Sequence, residues 1–352
     1  MATYLVFIAI IVLLFQFDYV QKKSGYGLFA LMAFLLTFLL VVLRYYVGFD
    51  YDVYSYYYLQ GAKWLADIGL EPGFVAIVAI LRFLGADSFW LFFWFGFGII
   101  YFIIRGIKLY TDNVRLAFLI YLLIPGLFIN SLSIIRQALA IAILFNAYYY
   151  YYYHRYRTFA FLSVLAFLFH YSSVLVIPFI LLAPKLRNRV KSMICIGIPL
   201  SLILYQINFI DIFISAILGG SKFIVYTEYE DGGASFIKLL VLNVSMLFYL
   251  FFYRRMDNFN RSLLALSVMG LLLLNACASV GAITRISYYF KIFEIVVIAN
   301  VMSYIQKPIN KCCAYVCVFV YFFIMFYSSL YRDYTTVEAY PKMTPYQSIF
   351  EK

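Results

Sequence analysis

The residues in this chain that can bind an anion or move a proton fall in short, separated clusters. Arg44-Tyr-Tyr-Val-Gly-Phe-Asp50-Tyr-Asp52-Val-Tyr54 opens the first long polar stretch with one guanidinium, two carboxylates and a phenol. Glu71 follows in Glu-Pro-Gly-Phe, Arg136 and Gln137 in Ser-Ile-Ile-Arg-Gln, His170 in Phe-His-Tyr-Ser-Ser, and Arg285 in Ala-Ile-Thr-Arg. An arginine stays charged when partly dehydrated and offers a planar fork of donors that matches phosphate oxygens. A neutral imidazole suits proton transfer near pH 7, and carboxylates can take a proton or hold sugar hydroxyls. No dense cluster of Asp, His or Cys marks a metal site, so no metal or other cofactor is expected. Arginines would then stabilise a diphosphate leaving group in place of a metal. Each residue also has an ordinary explanation. Arg44 and Arg285 could anchor helix ends at a membrane boundary, Arg136 could snorkel, and His170 could be a packing residue. Asp50 and Asp52 could be solvated loop carboxylates or part of an Asx-turn.

The elements that must position these groups are membrane helices. The 352 residues are 66% hydrophobic, 22% aromatic and only 12% charged, which no water-soluble fold of this size could bury. The apolar runs are continuous and lack the dyad alternation of a barrel, so the expected fold is all-α and polytopic. About 11–13 membrane helices are expected, counting short or re-entrant ones, in a single transmembrane domain over residues 1–352. The net charge of +11 does not indicate nucleic-acid binding, because the basic residues fall mostly in short clusters between apolar runs. The five cysteines sit in or beside apolar runs and read as small packing residues. The first apolar run lacks a basic start and a small-residue cleavage site, so it reads as a retained span.

The basic clusters orient the chain. Lys22 and Lys23 after the first run are expected inside, which leaves residues 44–73 as an external loop. Tyr56-Tyr57-Tyr58 and Trp64 in that loop suit interfacial helices. Residues 74–84 are too short to cross and read as a partial or re-entrant element. Spans are expected at 89–104, 116–128 and 138–153. The apolar run 159–182 reads best as two short helices hinged near His170, because one span would put Lys185, Arg187, Arg189 and Lys191 outside. A second external loop is expected at 208–235, with Asp211, Glu228, Glu230 and Asp231. Spans at 237–253, 262–279, 287–305 and 313–330 complete the threading and leave a short external tail. On this threading Arg44, Arg136, His170 and Arg285 share one membrane face. The helices flanking residues 153–158 fall and rise by similar amounts, about 24 and 20 Å, returning His170 to nearly the depth of Arg136.

The ordered set Arg44-x-x-x-Gly-x-Asp50-Tyr-x-x-Tyr54, Glu71-Pro-Gly-Phe, Ile-Arg136-Gln137-x-Leu-Ala and Phe169-His170-x-Ser-x-x-x-x-x-Pro178 resembles the EpsG-like branch of the Wzy polysaccharide polymerases. These make bacterial exopolysaccharide, capsule and O-antigen. The resemblance spans roughly residues 44 to 290, and order and spacing carry it more than any one motif. Phe49 stands where the family often has a small hydroxyl residue. The resemblance implies a metal-independent, GT-C-like membrane glycosyltransferase in the bacterial cytoplasmic membrane. Its partners would be donor and acceptor oligosaccharides on undecaprenyl diphosphate, the bilayer, and a separate chain-length regulator. Arg136 and Arg285, with Arg44, would hold the donor diphosphate, and His170 or Asp50 would act as base. Asp52, Tyr54, Glu71 and Gln137 would contact substrate. Three other functions fit the composition, one of them a purely structural assembly subunit, which would not need outer arginines. A lipid-linked oligosaccharide flippase would want polar groups through the midplane and repeated helices. A membrane O-acyltransferase could use His170 on a sugar hydroxyl.

Overall fold

The computed structural model describes residues 1–21, 26–209, 236–278, 284–335 and 342–351. Among them the chain is helical throughout, with no strand and an isolated antiparallel bridge between Arg44 and Ser348. Lys22, Lys23, residues 282–283 and nearly all of the expected second loop, including Asp211, Glu228, Glu230 and Asp231, lie outside the described residues. Among the described residues five helices are long and apolar enough to cross a membrane, which makes this a multi-pass membrane protein. The chain forms two compact units, Leu175–Ile305 on one side and Met1–Val174 with Gln306–Lys352 on the other.

In the first unit, α1 (Ala2–Gln21) pairs with α2 (Leu28–Val42). Their join is held by Asp18, fully buried, whose carboxylate accepts from the Gly27 and Ala30 amides and from Arg115 at 2.8 Å. The polar loop that follows contains two short helices, α3 (Tyr51–Gln60) and α4 (Ala62–Asp67), rich in tyrosine as expected of interfacial elements. Next come α5 (Pro72–Phe83), only 12 residues, and α6 (Ser88–Tyr110), 23 residues. The expected end of α6 near residue 104 falls short by six residues. Arg105 does not stop the helix because its guanidinium donates to Asn146 Oδ1 at 2.6 Å and to the Tyr150 hydroxyl.

A shorter α7 (Val114–Leu123) leads through a turn and α8 (Phe128–Ser131) into α9 (Ile135–Tyr152). The chain reverses at His154, whose φ of 58° lies in the left-handed region, and α10 (Tyr156–Phe169) runs back beside α9. The break expected in the run 159–182 falls at His170. Its backbone is extended (φ −158°, ψ 116°), and α11 (Tyr171–Leu186) then opens as a 3-10 turn.

In the second unit, α12 (Val190–Gln206), α13 (Phe236–Phe252), α14 (Asn258–Ala276) and α15 (Arg285–Tyr304) pack around a self-contained polar link. Asn275 donates to Ser201 at 2.9 Å and exchanges two amide hydrogen bonds with Asn243. α14 and α15 touch where a Cβ on Gly270 would lie 2.3 Å from Phe290 Cβ. The chain then returns to the first unit as α16 (Pro308–Thr335), which packs on α7.

Candidate functional site

Glu71 sits immediately before Pro72, which is pre-set for the first position of α5. Its carboxylate is 4% exposed and bridges two helices. One oxygen takes an ion pair from Arg136 in the first turn of α9; the other lies 2.8 Å from His170 Nδ1 at the end of α10. The antiparallel α9–α10 pair therefore brings Arg136 and His170 to one level. A carboxylate only accepts, so His170 Nδ1 is the donor in this contact. Burial pushes the Glu71 carboxyl up, but the hydrogen bond with His170 and the charge of Arg136 outweigh it and hold the group below the usual carboxylate range.

A cation in the first turn of a helix opposes the helix dipole, so Arg136 needs this carboxylate nearby. The helix end has no side-chain cap from Ile134. The Tyr54 hydroxyl lies against this end and interacts with the Arg136 backbone and guanidinium. Burial raises the Tyr54 hydroxyl, Arg136 opposes this, and the nearby charge of Asp50 adds to the rise. The guanidinium also lies over the rings of Tyr54 and Phe74, 5.6 and 5.4 Å from their centroids. Its Nε is buried with no hydrogen-bond partner among the described residues. An orphaned donor of this kind is costly unless a ligand satisfies it.

Two glycines permit this convergence. A Cβ on Gly73 would stand 2.7 Å from the Leu168 carbonyl oxygen, so only glycine lets the start of α5 reach the end of α10. Gly48 has φ 110°, and a Cβ there would meet the Leu132 carbonyl at 2.4 Å. That contact, with the Phe49 amide donating to Ser133 Oγ at 2.9 Å, ties the loop 44–50 to the turn before α9.

The structure thus joins Glu71, Arg136, His170 and Tyr54, with Asp50 close to Tyr54. Gln137 is buried beside Arg136 in the same turn. Asp52 accepts from the Tyr46 hydroxyl, which raises that phenol. Arg44 is 2% exposed and lies over Phe92 at 5.0 Å. Its guanidinium donates to the carbonyls of Val41 and, at 3.3 Å, Leu132. Arg285 is exposed at the start of α15, in the second unit. Among the described residues no group of three or more His, Cys, Asp or Glu could hold a metal ion.

The sequence reading missed two contributors. Phe74 forms the platform under Arg136; its place three residues after Glu71 in the quoted motif was the available signal. The segment 342–351 pairs with the end of α2 through Tyr45 N–H to Gln347 O and Ile349 N–H to Leu43 O, both 2.9 Å. Nothing in its composition announces that pairing.

The family model described as the EpsG family matches residues 27–348, and no curated protein and no solved structure matches the chain.

Proposed function

The chain belongs to the EpsG family of Wzy-like polysaccharide polymerases, and on that premise we propose that the Glu71–Arg136–His170 cluster joins oligosaccharide repeat units carried on undecaprenyl diphosphate, at the outer face of the bacterial cytoplasmic membrane. The single observation that carries this reading is the buried Glu71 carboxylate held between the Arg136 guanidinium and the His170 imidazole.

In this reaction the acceptor sugar's hydroxyl oxygen forms a bond to the donor's anomeric carbon, and the bond from that carbon to the diphosphate breaks. The carbon gains oxocarbenium character as the bond lengthens. The bonding pair leaves with the diphosphate, where Arg136 neutralises the developing charge. The acceptor's proton passes to His170 Nε2, and Glu71 stabilises the imidazolium that forms. Arg285 in the second unit keeps the diphosphate-binding role suggested by its sequence context. Arg44 supports the loop that carries Asp50 and Tyr54. Asp50 is the alternative base, and Asp52 and Gln137 remain proposed substrate contacts. The products are a lengthened lipid-linked chain and a free lipid diphosphate. A chain-length regulator would act on this step from a separate protein.

The test is surface glycan analysis in a deletion strain carrying Arg136→Ala or His170→Ala at matched protein level. Loss of polymer with single repeat units on the surface is expected, with a fall of at least about 100-fold in turnover. Normal polymer from Arg136→Ala would overturn the assignment. Repeat units trapped inside would indicate a flippase, and full polymer lacking an ester an acyltransferase.

A further inference from the structure

The second unit carries a set of cations that the chemistry above does not use. Lys185, Arg187, Arg189 and Lys191 crowd the turn between α11 and α12. Arg254 and Arg255 follow α13 in a 3-10 turn, and Arg261 sits in the first turn of α14. Among the described residues none of them has a carboxylate within ion-pair distance. The nearest carboxylate in sequence, Asp257, caps α14 and accepts from the Asn260 amide at 2.7 Å.

Tyr253 brings three of these residues together. Its ring is buried, with the Arg261 guanidinium 4.7 Å and the Lys191 ammonium 5.2 Å from its centroid. Those two charges are therefore no further apart than the two distances laid end to end. The Tyr253 hydroxyl donates to the Arg187 carbonyl at 2.6 Å, and its own carbonyl accepts from Arg261 Nε at 3.2 Å. Arg187 Nε is buried and has no hydrogen-bond partner among the described residues. Like charges held this close repel, and a buried donor left empty costs free energy, so an anion among them would relieve both. A basic turn that only orients the chain needs charges in number. It needs neither a ring to gather them nor a buried donor.

The adjoining helix faces say what kind of anion. Ile196, Leu200 and Ile203 of α12, and Val244, Leu247 and Phe251 of α13, are exposed at helical spacing. Each helix thus shows an apolar stripe that leads away from the cations. Charge at one end and apolar stripes below it match an amphiphile with its phosphate at headgroup depth and its acyl chains along the helices. A free phosphate or an acidic peptide would use the charges and leave the stripes bare.

We propose that Arg187, Lys191 and Arg261, arranged around Tyr253, hold the phosphate of an anionic phospholipid of the bilayer. The site lies within the second unit and does not depend on the polymerase reading.

Native mass spectrometry of the full chain in detergent tests this, with phosphatidylglycerol, phosphatidylcholine and inorganic pyrophosphate added in turn. Melting temperatures are recorded without added lipid. Phosphatidylglycerol is expected to be retained at least about tenfold more tightly than phosphatidylcholine. The side chains of Arg187 and Lys191 make no hydrogen bond among the described residues, so Arg187→Gln with Lys191→Gln should melt within a few degrees of the unaltered protein. That double variant is expected to retain phosphatidylglycerol about tenfold more weakly. Lys185→Gln with Arg189→Gln removes the same charge from the same turn and should cost about twofold at most. Equal losses in the two double variants would show diffuse attraction to charge and overturn the inference. Equal retention of the two lipids would overturn it as well, and so would pyrophosphate bound as tightly as phosphatidylglycerol. Should the first double variant melt well below the unaltered protein, Lys191→Gln alone, at an exposed position, decides the matter. A loss of about threefold is then expected, and unaltered retention would sink the proposal.

Discussion

At the scale of single residues, the proposed chemistry turns on Glu71. The same carboxylate contacts both the Arg136 guanidinium and the His170 imidazole. Glu71→Gln keeps the size but loses the charge. Polymer formation should fall by about 100-fold or more, through weaker proton transfer as well as looser phosphate binding, and a pH–rate profile would show it. The acid side can be worked out from the depressed carboxyl. Its folded value lies below the ordinary value of 4.5, so its stabilising contribution is complete above that value and is lost as pH falls through the folded one. The melting difference between the unaltered protein and Glu71→Gln should therefore hold from neutral pH down to about 5 and close in stronger acid. A difference that stayed constant into stronger acid would contradict the clamp. Much of this site is legible from residue types: arginine, histidine and carboxylates in an apolar chain stand out. Which atoms meet is not, because Glu71 lies 65 residues from Arg136 and 99 from His170.

At the scale of elements, the site depends on how closely α5 approaches α10. Gly73→Val would force a side chain against the Leu168 carbonyl and part Glu71 from His170. A modest destabilisation of about 1–3 kcal/mol is expected. The loss of polymer should be much larger than that destabilisation explains, read from glycan yield against melting temperature. Hydropathy locates most helices because apolar runs of membrane length have few alternatives in lipid. It also finds the break at His170, since four basic residues soon after it demand a return. It misjudges the end of α6, because Arg105 meets partners on α9 that lie 41 and 45 residues further on. The 3-10 start of α15 leaves no mark in hydropathy at all.

At the scale of the whole molecule, the first unit is polar at both ends and apolar between. One end carries Arg44, Glu71, Arg136 and His170; the other carries Asp18 with Arg115, and Arg105 with Asn146. In a cysteine-free background, Phe49→Cys and Phe350→Cys, both exposed positions, should react only with reagent added outside the cell. Asp112→Cys, beside the Arg115 end, should react only after the membrane is opened. Opposite labelling of Phe49→Cys and Phe350→Cys would contradict the pairing of segment 342–351 with the loop after α2. The division into two compact units is invisible in composition, since apolar runs fill both. The pairing itself has a bearing on biogenesis. Tyr346 bonds to the Leu40 carbonyl across 306 residues, so the arm that steadies Arg44 cannot lock until nearly every helix has entered the bilayer. On the function proposed above, a half-translated chain would lack the pairing that holds Arg44, so the site would be completed only once residues 342–351 have been made.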